Sequence, residues 1–255
     1  MIRIEHLHKR FSKLAVLTDV SASFRAGQVI ALIGPNGSGK TTLIKSILGM
    51  VKPSAGQIYF NDQPIGEQFE YRRQIGYMPQ IGRYPDHMKI SQVMAMMQNI
   101  RNQPAAAIDE DLYLAYDIAA IAHKPMHSLS GGTRQKISAI LAFMFRPEVL
   151  ILDEPTAGLD PLASEILRNK ILVEKQRGRL ILITSHILND LDELATDILY
   201  LHEGQVKCYD TLPNILQQTG QAKLSKAIAA LMQAQSYSPA TMQNGQCTTK
   251  TVSHV

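Results

Sequence analysis

Gly34-Pro35-Asn36-Gly37-Ser38-Gly39-Lys40-Thr41 decides the fold of this chain. It follows the apolar run Val29-Ile30-Ala31-Leu32-Ile33, which reads as a buried strand. It precedes a stretch in which Leu43, Ile44, Ile47 and Leu48 share one helical face, with Gly49 as the stop. A strand, a glycine-rich loop and a lysine-led helix predict a cradle for a polyphosphate. Glycines let backbone N–H groups turn inward on the phosphates, and the helix start adds its positive dipole end. Gly34, Asn36, Gly37, Ser38 and Gly39 form such a loop, and Lys40 can reach the β- and γ-phosphates. The Thr41 hydroxyl is suited to Mg²⁺, and Thr42 completes the set. The chain is therefore expected to bind a nucleoside triphosphate.

With 255 residues, 45% of them hydrophobic and 19% charged, the chain can bury the core of one large domain or two small ones. No apolar run approaches the roughly 20 residues that a membrane span requires. Met1-Ile2-Arg3-Ile4-Glu5-His6 carries charges where a signal peptide has its apolar core, so a cytoplasmic setting is expected. Cys208 and Cys247 form no metal or disulfide pattern. The net charge of +4 permits contact with an anionic surface and demands none.

Outward from the loop, Ile2 to Ile4, Ala15 to Phe24, Gln57 to Phe60 and Ile75 to Met78 read as strands. From about Pro85 to Phe145 the pattern is helical: Ile90, Val93, Met94 and Met97 share one face, as do Ile137, Ile140, Leu141 and Met144. Val149–Leu152 and Leu180–Ile183 then have the continuous apolar character of parallel strands buried on both faces, with helices near 162–175 and 187–194. Ile198–Leu201 and Gln205–Tyr209 predict a hairpin across Glu203-Gly204. Leu224, Ile228, Leu231 and Met232 make a short apolar helix face, and the Ser/Thr/Gln-rich chain beyond about Ser236 is expected to be disordered. The whole reads as an α/β core with a helical insertion.

Two further segments carry chemistry. Val149-Leu150-Ile151-Leu152-Asp153-Glu154 ends a buried strand in two carboxylates, at the end of a strand where open α/β sheets bind ligands. Asp153 is suited to Mg²⁺ and Glu154 to taking a proton from an attacking water. Leu129-Ser130-Gly131-Gly132-Thr133 opens a helix, with Ser130 as its N-cap and glycine N–H groups at a second anion site. One chain has little use for two separate sites for the same γ-phosphate. Two copies do, if the site on one faces the nucleotide of the other.

These segments, in this order, resemble the nucleotide-binding subunits of ATP-binding cassette transporters over residues 1 to 220. Gly34–Thr41 matches the Walker A motif, and Gln80 in Tyr77-Met78-Pro79-Gln80 the Q-loop. Ser130-Gly131-Gly132 matches the signature, and Val149–Glu154 the Walker B strand with its glutamate. Gly158-Leu159-Asp160 resembles the D-loop, His186 stands at the switch position, and Phe11 stands where the family stacks an aromatic on adenine. The signature departs from the family at Thr133, where glutamine is usual.

The resemblance implies a P-loop NTPase fold: a RecA-like α/β core, an antiparallel β subdomain and a helical subdomain, about residues 82–146, carrying the signature. Residues 221–255 would form a C-terminal extension. It implies ATP and Mg²⁺ as ligands, with Thr41, Gln80 and Asp153 at the metal. It also implies a head-to-tail homodimer that sandwiches two ATP molecules. Lys40 and Ser38 of one chain, with Ser130 and Gly132 of the other, would clamp one γ-phosphate. Glu154 would be the base, His186 would hold the γ-phosphate and water, Gln80 would sense the metal or water, and Asp160 would position residues across the interface. The expected partner is an integral membrane permease subunit, at the cytoplasmic face of the inner membrane; nucleic acid is not expected. Met88, Met94, Met96 and Met97 read either as packing or as an adaptable groove for a helix of that partner.

A soluble cassette ATPase of an assembly machine, of the iron–sulfur type, is the alternative. A finer likeness lies in residues 77–85, in Leu-Ser-Gly-Gly-Thr-Arg-Gln-Lys (129–136) and in 223–232. These are similar to cassette ATPases that accompany nitrous oxide reductase maturation, which work with a membrane subunit and a periplasmic accessory protein to supply copper–sulfur centres.

Overall fold

The computed structural model describes residues 1–66, 69–102 and 107–236. It divides into two units, Met1–Gln68 with Thr184–Val255, and Phe69–Ile183. The disorder expected for the tail, and Cys247 with it, lie outside the described residues.

In the first unit, β1 (Ile2–Phe11) and β2 (Leu14–Phe24) pair antiparallel, with Ile2 opposite Phe24 and Ile4 opposite Ala22. β1 also pairs with β4 (Ala55–Phe60), which carries the short β5 (Gln63–Pro64) at its other edge. Alternation explains the sheet: Ile2, Ile4 and Leu7 are buried, while Arg3 and Glu5 stay partly in solvent. β1 is longer than the sequence indicates. The positive φ of His6 breaks its register, so no simple alternation runs through to Phe11.

β3 (Val29–Ile33) is buried at every position and pairs in parallel with β9 (Asp197–His202). β9 returns antiparallel as β10 (Gln205–Thr211). The turn between them has φ of 48° at Glu203 and 72° at Gly204, the double-positive geometry of a tight hairpin. α1 (Lys40–Ile47) follows β3 and buries Leu43, Ile44 and Ile47, as expected. Among the described residues three helices follow Thr184 in this unit: α6 (Leu188–Leu194), α7 (Leu212–Thr219) and α8 (Leu224–Ser236). α8 packs on α6 and α7 through Leu224, Ala227 and Ile228, and its first N–H is capped by the Asp192 carboxylate. Leu231 and Met232 stay more exposed than the apolar pattern indicates. α7 escapes the sequence reading because its capping Thr211 and following Pro213 look like a turn.

In the second unit, β6 (Ile75–Met78) runs parallel to β7 (Val149–Asp153), with Met78 beside Leu152. β8 (Leu180–Thr184) lies on the other side of β7. Around these strands stand α2 (Ile90–Arg101), α3 (Asp111–Ala115), α4 (Gly131–Phe143) and α5 (Pro161–Gln176). α2 buries Ile90 and Val93, whereas Met94, Met96 and Met97 are only half-buried. α4 starts at Gly131, earlier than the apolar period alone indicates. The glycines therefore form its first turn, directly after the Ser130 cap that the sequence indicates.

Candidate functional site

The phosphate loop is fixed by its neighbours in the first unit. A Cβ added at Gly34 would lie 2.0 Å from the Leu201 carbonyl oxygen, so only glycine lets the chain leave β3 against β9. The Ser38 carbonyl accepts the Gly204 N–H at 3.1 Å, which binds the loop to the hairpin turn. Lys40 Nζ folds back on the loop, donating to the Gly34 and Pro35 carbonyls at 2.7 and 3.0 Å. Ser38 is only 3% exposed, and its hydroxyl has no hydrogen-bond partner among the described residues. A buried, orphaned hydroxyl is costly unless something polar reaches it. Together with the N-terminus of α1, it fits an anionic ligand. Asn36, Gly37 and Thr41 are exposed, and Thr42 is half-buried.

Also in the first unit, Phe11 at the end of β1 is 47% exposed, with Lys9 Nζ 4.7 Å from its ring centre. An exposed aromatic face beside a cation offers a stacking surface. His186 stands exposed between β8 and α6, after Ser185, whose hydroxyl accepts the Ile187 N–H at 2.9 Å.

The second unit gathers the rest of the predicted set. The parallel pairing of Met78 with Leu152 puts Gln80 and the Asp153–Glu154 pair at the same end of two adjacent strands. Gln80 is exposed; Asp153 and Glu154 are 7% and 8% exposed. Burial, together with the nearby Asp153 charge, pushes the Tyr77 phenol up to about 12. Glu154 holds a left-handed φ of 53°.

The start of α4 is built from its own side chains. Ser130 caps it, accepting the Thr133 N–H at 3.2 Å. Ser130 and Gly131 are exposed and Gly132 is half-buried. Gly132 is close-packed: a Cβ there would lie 2.7 Å from the Gly158 carbonyl oxygen. Asp160 caps α5 through the Ala163 N–H at 2.8 Å and pairs with Lys136 at 2.9 Å. That N–H first, then the Lys136 hydrogen bond, hold its carboxyl below the usual carboxylate range. The structure thus joins the signature start to the D-loop.

Sequence reasoning missed Gln135 and Lys136. Gln135 is buried in α4 and donates to the Glu154 and Pro155 carbonyls at 3.2 and 3.4 Å. A polar amide inside a helix that also buries Ile137, Ala139 and Ile140 was the available signal.

A sequence model of the family described as ABC transporter matches residues 17–157. The chain is 33% identical, over 227 residues, to the lantibiotic transport ATP-binding protein SrtF of Streptococcus pyogenes, covering 84% of this chain and 94% of that one. It is 30% identical, over 209 residues, to the Nod factor export ATP-binding protein I of Ralstonia nicotianae, covering 80% of this chain. That match spans 65% of the Nod factor protein's own length. A solved ATP-binding subunit of an ABC transporter superposes with a TM-score of 0.85 at 29% identity, over 91% of this chain and 99% of the other. The chain belongs to the ABC transporter family and is an ATP-binding ATPase subunit of that family.

Proposed function

We propose that two copies of this chain close head to tail on two ATP molecules and hydrolyse them to drive a separate membrane permease. One observation carries this reading. The chain has two anion-ready helix starts, at Lys40 and at Gly131, each in a different unit. Lys40 and the orphaned Ser38 hydroxyl hold the γ-phosphate from one copy, and Ser130 and Gly132 supply N–H and hydroxyl donors from the other. The phosphate charge is then matched only on closure, so ATP favours the closed state by its differential binding.

Within each site, Glu154 takes the proton of the attacking water. His186 holds the γ-phosphate and the water in line. Gln80 reports nucleotide state toward the permease, and Asp160 orders residues across the interface. Phe11 stacks on adenine, and Asn36, Gly37 and Thr42 complete the loop. Thr41, Gln80 and Asp153 would hold Mg²⁺, which would supply charge neutralisation on the phosphates. The half-buried methionines of α2, with Met88, form the adaptable surface for a permease helix.

Among the described residues no helix is long and apolar enough to cross a membrane; in the proposed complex the permease subunit supplies the span. In this reading the chain sits peripherally, at the cytoplasmic face of the inner membrane. Relatives named for lantibiotic transport and Nod factor export support transport over the assembly-machine alternative. The finer reading is that the complex, with a periplasmic accessory protein, serves copper–sulfur delivery for nitrous oxide reductase. It is supported by residues 77–85, 129–136 and 223–232. Deleting the gene is expected to leave that reductase without its metal centres; an intact reductase discards the finer reading alone.

The central reading is tested with Glu154→Gln. ATP binding is retained, while hydrolysis falls by about a hundredfold or more, as for loss of a general base. Turnover at the wild-type rate would remove Glu154 from the chemistry.

A further inference from the structure

We infer that Gln135 is a positioning residue for Glu154, linking the base of one nucleotide site to the phosphate-clamping segment of the other. The inference rests on the proposed function, in which Glu154 serves the chain's own ATP while Ser130 and Gly132 reach that of the partner.

Glu154 carries the left-handed φ of 53°, a region that residues with a Cβ occupy uncommonly. Its carbonyl, and that of Pro155 after it, accept the Gln135 side-chain amide at 3.2 and 3.4 Å. Gln135 is only 6% exposed. An amide buried so deeply loses its partners at a cost, so helix and loop favour moving together.

Two further ties run between the same segments. Gly132 sits so close to Gly158 that an added Cβ would meet its carbonyl oxygen at 2.7 Å. Lys136 Nζ lies 2.9 Å from the Asp160 carboxylate. All three ties leave the first two turns of α4, and all three end between residues 154 and 160. The start of α4 and the candidate base therefore behave as one piece. When a phosphate of the partner's nucleotide seats on Ser130 and Gly132, the shift of α4 reaches Glu154 of the same chain through Gln135. Hydrolysis at the two sites becomes linked, and turnover becomes cooperative in ATP.

The test uses the full chain with the near-isosteric Gln135→Met, which fills the space and donates no hydrogen bond. The expected kcat falls about tenfold. The Hill coefficient for ATP drops from near two toward about one. KM, and binding of a slowly hydrolysed ATP analogue, stay within about twofold, since uniform binding is untouched. A merely structural role would instead lower the melting temperature and weaken binding and turnover together, and that result overturns the inference. So does unchanged kcat with unchanged cooperativity. If Gln135→Met does not fold, Lys136→Met cuts the more exposed tie. Cooperativity is then expected to fall, and its full retention overturns the linkage. Glu154→Gln separates the two levels. Should that variant hydrolyse ATP normally, the underlying reading fails. Should it be inactive while Gln135→Met matches wild type, only the linkage fails.

Discussion

The hydroxyl of Thr133 lies 2.9 Å from the hydroxyl of Ser130, whose oxygen also accepts the Thr133 backbone N–H. Ser130 is thus both the cap of α4 and the proposed ligand of a γ-phosphate. At the position where the family usually has glutamine, this chain puts a second hydroxyl on the cap. Thr133 can donate to the Ser130 oxygen, which leaves the serine proton for an incoming anion. Thr133→Val removes that hydroxyl and keeps the shape. The expected result is a rise in KM for ATP of about threefold, the scale of one hydrogen bond, with little change in melting temperature. Steady-state kinetics on the two proteins decides it: an unaltered KM makes the second hydroxyl a bystander.

At Gly34 the obstacle to a side chain is backbone, the Leu201 carbonyl, and not a side-chain end that could swing away. Gly34→Ala therefore has to push the loop off β9 or break the β3–β9 pairing. The variant is expected to lose nucleotide affinity by about tenfold or more and to melt at lower temperature. Fluorescent-nucleotide titration with a parallel thermal scan checks both. Wild-type affinity would mean that the loop relaxes freely.

Much of this was readable in advance, for identifiable physical reasons. β3, β7 and β8 are buried on every residue, so their sequences are short, nearly continuous apolar runs rich in Ile, Leu and Val. The loop after β3, the acids after β7 and the Ser130 cap announce themselves because backbone geometry and charge restrict each to a few residue types. The full length of β1 was hidden by a bulge at His6, and α7 by its own capping residues. Gln135 was hidden for another reason. Its partners are backbone carbonyls far away in the chain, and a carbonyl leaves no mark on the sequence. Contacts of that kind have to be seen in three dimensions.

Gly132 gives a sharper test of the clamp than Ser130 does, because its neighbour is also backbone. A methyl group there would meet the Gly158 carbonyl oxygen at 2.7 Å and drive the start of α4 away from the D-loop. Gly132→Ala should leave ATP binding to the loop of its own chain intact, since that loop lies in the other unit. Hydrolysis should fall by about tenfold or more, as expected when a preorganised donor is misplaced. Nucleotide binding and turnover measured on the same preparation separate the two effects, and normal turnover would take the start of α4 out of the clamp.

Lys170 of α5 meets three carboxylates, Asp109 at 2.6 Å, Asp111 at 2.7 Å and Glu174 at 3.2 Å, and so ties α5 to the start of α3. Burial opposes its charge, but the hydrogen bonds that Lys170 donates to Asp109 and Asp111 outweigh this and hold its pKa above the ordinary lysine value. The Lys170 hydrogen bond in turn holds the Asp111 carboxyl below its ordinary 3.8. The signs differ. A depressed carboxyl stabilises the fold above its unfolded pKa and loses that contribution as pH falls through the folded value. The raised lysine contributes below its unfolded pKa and loses this only as pH climbs through the higher folded value. Between those limits the network is intact. Asp111 is largely exposed, so screening keeps its share below about 1 kcal/mol. Asp111→Asn is therefore expected to lower the melting temperature by about 2 °C at neutral pH. The difference should stay flat from about pH 5 to pH 9 and close in acid once the wild-type carboxyl is protonated. A melting series across that range measures it, and a gap that persists unchanged in strong acid would assign the loss to packing instead of charge.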